Sequence, residues 1–264
     1  MSVSEQALFD QPGPRGRRWI RLATIGTAVL LVGLFWLAIT EFHAHGQLDP
    51  AKWTIFGQWP VMAFLLRGLA ATLLAAGVSA VIAAPLGFLV ALGRLSRRRV
   101  IRWPAVAYVE LFRAVPILLL LFAFLILAPR FGLRLPIFWQ LVVPIVVSNV
   151  AALAEIFRAG ILSVDRGQTE AGLCVGLSPA ATMRLVVLPQ ALRRVAPALV
   201  TQFIRLLKES TLGYVVSFLE LLHAGRVLGE YTHALIQTYL VMTLMFVAVN
   251  ALLSWLATVL QRRG

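Results

Sequence analysis

Charge is scarce in this chain of 264 residues, of which only 13% are Asp, Glu, Lys or Arg, against about 25% in soluble globular domains. With 60% hydrophobic residues, it cannot cover itself with a polar surface, which excludes an ordinary soluble domain and points to an integral membrane protein. Acidic groups are scarcer still, at 11 against 24 basic residues, and Lys52 and Lys208 are the only lysines. Neither lysine follows a G-x-x-x-x-G run, so the chain has no phosphate-binding loop and does not hydrolyse ATP by that route. The single Cys174 excludes an internal disulfide and reads as a small packing residue. His43, His45, His223 and His233 come without the Cys or carboxylate spacing of a metal site. No nucleophile stands with a base in a recognisable arrangement. No metal, no cofactor in this chain and no intramembrane enzyme are expected.

What is present is a series of apolar runs separated by basic clusters. After residues 1–21, read as a disordered basic arm, Leu22 to Thr40 is long enough to cross a bilayer, where about 20 residues are needed. Thr40, Glu41, Phe42 and His43 follow without a small-residue cleavage site, so this is a retained helix. Further spans are predicted at about Gly68–Gly93, Val106–Ala128, Phe138–Ile161, Pro197–Leu222 and Ala234–Leu260. That makes an all-α protein of six transmembrane helices with both termini in the cytoplasm. Three regions result: the arm 1–21, an additional helix with an external loop at 22–60, and a main domain at 61–264.

The net charge of +13 raises the question of nucleic acid, which the positions of the basic residues answer. Sixteen of the 24 lie in four clusters that this topology puts on one side: Arg15, Arg17, Arg18 and Arg21; Arg94, Arg97, Arg98, Arg99 and Arg102; Arg158, Arg166, Arg184, Arg193 and Arg194; Arg262 and Arg263. Five (Lys52, Arg67, Arg130, Arg134, Arg226) fall outside or near the outer ends. The clusters flank apolar runs and form no face with interleaved aromatics, so the charge orients the protein in the bilayer and does not bind nucleic acid.

The longest stretch not built for lipid is Asp165–Ala191, inside a loop at 162–195. Gly176 suits the left-handed residue that closes a helix, Ser178 a cap and Pro179 a first turn. Two short helices with a stiff break are predicted, with Pro189 ending the second. Glu170, Ala171, Gly172, Gly176, Val186, Leu188 and Pro189 match in spacing the E-A-A, three residues, G, nine residues, I, one residue, L-P motif of ATP-binding-cassette (ABC) importer permeases. Gly172 stands where the motif usually has Ala and Val186 where it has Ile; the glycine could loosen the first helix by about 1 kcal/mol.

The resemblance extends over about residues 64 to 262. Glu110-Leu111-Phe112-Arg113-Ala114-Val115-Pro116 is similar to the E-F-F-R-G-T-P segment of polar amino acid permeases, with Ala114 and Val115 as departures. Glu155-Ile156-Phe157-Arg158-Ala159-Gly160-Ile161, Gly167-Gln168, Leu188-Pro189-Gln190-Ala191 and Lys208-Glu209-Ser210-Thr211-Leu212 resemble further segments of that subfamily. The opening residues and the additional first helix resemble actinobacterial glutamate permease subunits. The resemblance implies a type I importer permease in the bacterial plasma membrane. Its implied partners are ABC ATPase subunits docked at the Asp165–Ala191 unit, a second permease subunit, identical or homologous, and an extracytoplasmic amino acid binding protein. An importer of another small polar solute, or an ATP-independent carrier or channel, are the alternatives.

Charges inside spans mark further candidates. Arg205, Lys208 and Glu209 begin about eight residues into the fifth span, roughly 12 Å deep at 1.5 Å per residue, where ionised groups are costly unless paired or wet. Their spacing places them on one helical face, which either lines a path for a substrate carboxylate or holds an internal Arg205–Glu209 pair. Glu110 with Arg113 and Glu155 with Arg158 repeat the spacing E-x-x-R, as anchoring pairs at helix ends or as gating contacts. Asn149 at membrane depth reads as a helix-to-helix hydrogen bond before a ligand contact.

The orientation is directly testable. In a Cys174→Ser background, a cysteine at Pro50 should react with an impermeant thiol reagent applied to intact cells and one at Arg98 should not; the reverse pattern inverts the topology.

Overall fold

The computed structural model describes residues 13–263, and among them the chain is helical throughout with no strand. It divides into two units, Met1–Ile55 and Phe56–Gly264. In the first, α1 (Pro14–Ala44) starts on Pro14, whose missing N–H costs nothing in a first helical turn, and stops just before Gly46 at φ +62°. The helix therefore takes in residues 14–21, which the sequence assigned to the disordered arm; residues 1–12 lie outside the described residues. A short α2 (Pro50–Thr54) is capped by Asp49, which accepts the Ala51 N–H at 2.9 Å.

The second unit is built on α3 (Trp59–Leu95) and α6 (Ile137–Ser163). The buried residues of α3 are small for most of its length: Gly68, Thr72, Ala75, Ala76, Ser79, Ala83, Gly87 and Ala91. Their steps of three and four residues put them on one face, and lipid offers no hydrophobic drive for pairing, so close packing has to hold the helices together. The face works by backbone approach. A Cβ added at Gly87 would lie 2.7 Å from Leu153 Cβ and 3.1 Å from the Val150 carbonyl. At the other end of α3, a Cβ at Gly68 would lie 2.9 Å from Ala224 Cβ. The larger α6 residues Leu141, Val142, Ile145, Val150, Leu153 and Phe157 fill the core around this stripe.

Among the described residues, four helices are long and apolar enough to cross a membrane alone: α1, α3, α6 and α11 (Leu235–Arg263). Two bent helix pairs reach that length and hydropathy only when each is counted as one span. The third predicted span breaks into α4 (Arg99–Ala114) and α5 (Ile117–Arg130), which meet at 104°. Pro116 is the cause, because its ring drives Val115 out of the helical region to ψ 123°. Leucine-rich α5 keeps the apolar part of the span, while α4 is an amphipathic helix packed against α3 and α6.

The fifth span also differs. It begins upstream of Pro197, as α8 (Pro179–Thr182), a π-turn over Met183–Val187 and α9 (Leu188–Ser210) form one continuous path. Pro189 does not end the second short helix. It sits in the first turn of α9, where no N–H is required, while the wider π-turn ahead of it carries the Leu188 N–H to the Met183 carbonyl. The span then tightens to a 3-10 turn at Thr211–Val216, kinks at Ser217 (φ 59°) and resumes as α10 (Leu221–Thr232) at 51°. Buried Glu220 caps α10 by accepting the Leu222 and His223 N–H groups at 2.8 and 2.7 Å, and the Leu221 N–H donates to Thr72 on α3 at 3.0 Å.

Close approach can be separated from glycine as such. Gly160→Leu should lower the thermal midpoint of the purified protein, by an overpacking cost of about 1–3 kcal/mol, because even a Cβ there would meet Val195 Cγ1 at 2.2 Å. Gly77→Leu, with no atom within 4 Å of its added Cβ, should leave the midpoint unchanged or raise it.

Candidate functional site

Three groups of residues are brought together in the second unit. The first is the loop between α6 and α9. Here α7 (Arg166–Cys174) starts on Asp165, whose carboxylate accepts the Gly167 N–H at 2.7 Å. It ends on Gly176 at φ +86°, with the Gly176 N–H on the Leu173 carbonyl (3.0 Å) and the Leu177 N–H on the Gly172 carbonyl (3.1 Å). This pair of bonds is the Schellman closure, and it needs a left-handed residue at that point. Ser178 then caps α8 by accepting the Ala181 N–H at 3.3 Å, with Pro179 in the first turn.

The departure at Gly172 has a packing reason that sequence could not supply. Gly172 is buried, and a Cβ on it would come within 2.6 Å of Thr182 Cγ2. The alanine usual at that point of the motif would thus separate α7 from α8. Gln190 adds a tie that was not anticipated: its amide donates to Gln168 on α7 and to the Val186 carbonyl, both at 3.0 Å. The unit is anchored to its neighbours by Ile161, Val164, Val187 and Ala191, which pack with Phe88, Leu92, Leu95 and Met183. Arg194 also donates to the Ser163 carbonyl. On the outer side, Glu170 and Ala171 are exposed together with Leu173, Val175 and Leu185.

The second group is an ion network across three helices. Arg94, at the end of α3, reaches Glu155 of α6 at 2.5 Å and Glu110 of α4 at 3.2 Å, and Arg158 holds Glu155 at 3.0 Å through Nε. Glu155 and Arg158 therefore pair as their spacing predicts, whereas Glu110 and Arg113 do not. Glu110 turns to Arg94 instead, a partner 16 positions back in the chain that no local periodicity reveals.

The third group lies in the membrane part of α6 and α9. Glu209 is buried and accepts from Arg205 Nε at 2.8 Å and from Asn149 Nδ2 at 2.5 Å; Asn149 Oδ1 in turn accepts from Gln202 at 2.5 Å. The Arg205–Glu209 pair exists, and the three charges on this face differ in burial. Glu209 points into the bundle, whereas Arg205 and Lys208 are exposed. Lys208 borders a cavity of about 330 Å³ with Thr211, Leu222, Tyr239, Met242, Thr243, Phe246 and Asn250. Asn149 makes the helix-to-helix bond expected of it, and Gln202 completes a network that sequence reading missed; the polar spacing Gln202, Arg205, Glu209 along α9 was the available signal.

Glu209→Ala removes the buried acceptor, while Asn149 keeps the Ile145 carbonyl and Gln202 and exposed Arg205 is left free; the lost hydrogen bonds should cost about 1–3 kcal/mol, read as a lower thermal midpoint in detergent. Arg205→Gln should cost more, about 3–5 kcal/mol, because it leaves the buried Glu209 carboxylate without its cation.

Residues 83–263 match the family model described as binding-protein-dependent transport system inner membrane component. The glutamate transport system permease protein GluD of Corynebacterium glutamicum is 34% identical over 228 residues, covering 83% of this chain and 82% of that protein. The probable glutamine ABC transporter permease protein GlnP of Bacillus subtilis is 34% identical over 208 residues, covering 76% and 94%. Among solved structures, a crystal structure of an amino acid ABC transporter with histidines aligns with a TM-score of 0.73 at 30% identity, over 77% of this chain and 95% of that one. The chain thus belongs to the binding-protein-dependent transport system inner membrane components, as a permease of the polar amino acid ABC importer kind.

Proposed function

We propose that this permease carries glutamate inward, driven by a separate ATPase that docks on the Asp165–Ala191 unit, with the termini and that unit in the cytoplasm. A second permease subunit and an extracytoplasmic binding protein complete the machine, since one chain offers one docking unit and half of a pathway. The observation that carries the coupling role is the rigidity of the unit. Its two helices are locked at Gly176, at the Gly172–Thr182 contact and at the Gln168–Gln190 bond, and it is packed against α3 and α6. A displacement applied to such a body reaches the membrane helices, where a flexible loop would absorb it. Exposed Leu173, Val175 and Leu185 give it an apolar surface of the kind that marks protein contact.

The order of events follows from this construction. Closure of the ATPases moves the unit, which shifts α6 and α9 together because the unit joins them. The Glu209–Asn149–Gln202 cluster and the Arg94–Glu155 contact then decide which helices travel as one body. Substrate identity rests on less: the relative from Corynebacterium glutamicum is named for glutamate, and the exposed side chains of Arg205 and Lys208 present positive charge to a carboxylate. The same charges suit the carboxylate of any amino acid, so glutamate is separated from its neighbours by transport assay alone.

Glu170→Lys and Gly176→Val should each lower ATP-coupled uptake of labelled glutamate in cells at least tenfold while membrane abundance persists. Gly176→Val should be the more severe, because a β-branched residue resists φ +86°. Retained uptake in both removes the coupling role. Lys208→Gln should lower glutamate uptake severalfold at unchanged abundance, and full glutamate uptake in that variant removes the lysine from the path.

A further inference from the structure

At the end of the fold where α3 meets α4, Arg94 and Arg158 are neutralised by Glu155, Arg94 also by Glu110, and Arg194 is tied to the Ser163 carbonyl. Exposed arginines without an acidic partner occur singly at Arg113, Arg166 and Arg184, but the bend between α3 and α4 gathers four within six residues. Arg97, Arg98, Arg99 and Arg102 are all exposed, and among the described residues none of them meets an acidic side chain. Their place is electrostatically adverse, because Arg98 is the N-cap of α4 and Arg99 its first residue, where the helix dipole repels cations. Helix stability therefore does not account for them.

Apolar groups accompany the charges. Val100 is 86% exposed and Trp103 64%, while Ile101 lies on the opposite side of the helix, toward Gly93 of α3. At 100° per residue, Arg99, Arg102 and Trp103 share one face of α4 and Val100 borders it. The helix meets apolar α5 at 104°, so with α5 crossing the bilayer α4 runs along the membrane plane. A helix in that attitude, with arginines next to a tryptophan and a valine, has the make-up of a segment seated at the headgroup level.

We propose that the α3–α4 bend is a binding surface for anionic phospholipid, with Arg97, Arg98, Arg99 and Arg102 on the headgroup phosphates and Trp103 and Val100 among the upper acyl carbons. The lipid headgroups supply the counter-charge that the chain withholds. Seating α4 on the bilayer also holds Glu110 against Arg94, so lipid composition reaches the ion network that joins α3, α4 and α6. The placement assumes that α5 crosses the membrane, but not which side the termini occupy. Neither does it assume the substrate, so a lipid measurement stands apart from any transport result.

The test uses the full chain in nanodiscs that mix phosphatidylglycerol and phosphatidylcholine, one of the two brominated at a time. The Trp103 signal is taken as the difference between the parent protein and Trp103→Phe. Brominated phosphatidylglycerol should quench it several times more strongly than brominated phosphatidylcholine at equal mole fraction. Each arginine near an anionic surface gains an attraction equivalent to roughly fivefold in binding, so four together favour the anionic lipid. The preference should vanish in the quadruple variant R97Q/R98Q/R99Q/R102Q. It should also fall steeply between low salt and about 0.5 M salt in the unmodified protein, where screening shortens the reach of the charges and no folding question arises. Equal quenching by the two lipids at low salt overturns the proposal, as does a preference that survives in the quadruple variant. It is likewise overturned if that variant keeps its lipid preference but no longer co-purifies with an ATPase, which would assign the surface to a protein partner.

Discussion

Backbone contact between α3, α6 and α9 is the constraint on which the rest of this structure depends. In lipid an apolar side chain gains nothing by leaving its surroundings for another apolar side chain, so helix pairing rests on dispersion and on how closely the main chains approach. Gly87 against Leu153 and Gly160 against Val195 and Ala191 bring α6 onto its two neighbours at distances that no side chain at either glycine would permit. Everything polar in the bundle is aligned by that approach. Asn149 meets Glu209 and Gln202 because α6 and α9 lie this near, and Arg94 reaches Glu155 because α3 and α6 run side by side.

The Asp165–Ala191 unit inherits its position from the same contacts. Ile161 and Val164 at the end of α6, Val187 in the π-turn and Ala191 in α9 form one small core, closed by Leu92 and Leu95 of α3. The unit is thus an extension of the packed bundle and not an appendage. Its stiffness has three separate sources: a left-handed glycine, a glycine that admits a threonine, and a bond between two glutamines. None is strong alone, yet each removes a different freedom. Gly176 sets the angle between α7 and α8, Gly172 sets their distance, and Gln190 ties the start of α9 back to α7.

Two breaks in otherwise continuous spans give the fold its joints. At Val115–Pro116 the chain turns by 104°, and at Ser217–Glu220 by 51°. Each has a tie to a neighbour close by: Tyr108 of α4 donates to the Val147 carbonyl of α6 at 2.7 Å, and Thr72 of α3 accepts the Leu221 N–H exposed at the second joint. Buried Glu220 performs the work of a cap at that second joint. The joints are therefore pinned to the rigid pair α3 and α6 while the segments beyond them differ in direction.

The sequence by itself determined the membrane character, the number of apolar runs, and the spacing and local chemistry of the Asp165–Ala191 unit at Asp165, Gly176, Ser178 and Pro179, because composition, period and caps act within a few residues. It also marked Asn149, Arg205, Glu209, Glu155 and Arg158 as residues too polar for their surroundings. Only the tertiary structure decided which partner each would take. Glu110 left the nearby Arg113 for Arg94, Glu209 turned inward while Lys208 did not, and Gln202 and Gln190 gained roles that no local pattern announced. It also decided that Pro116 would bend a span and that Pro189 would begin a helix rather than end one. The physical reason is common to all of these. A pairing or a kink is settled by which surfaces lie within hydrogen-bond or van der Waals reach, and that reach is set by the close packing of helices far apart in the chain.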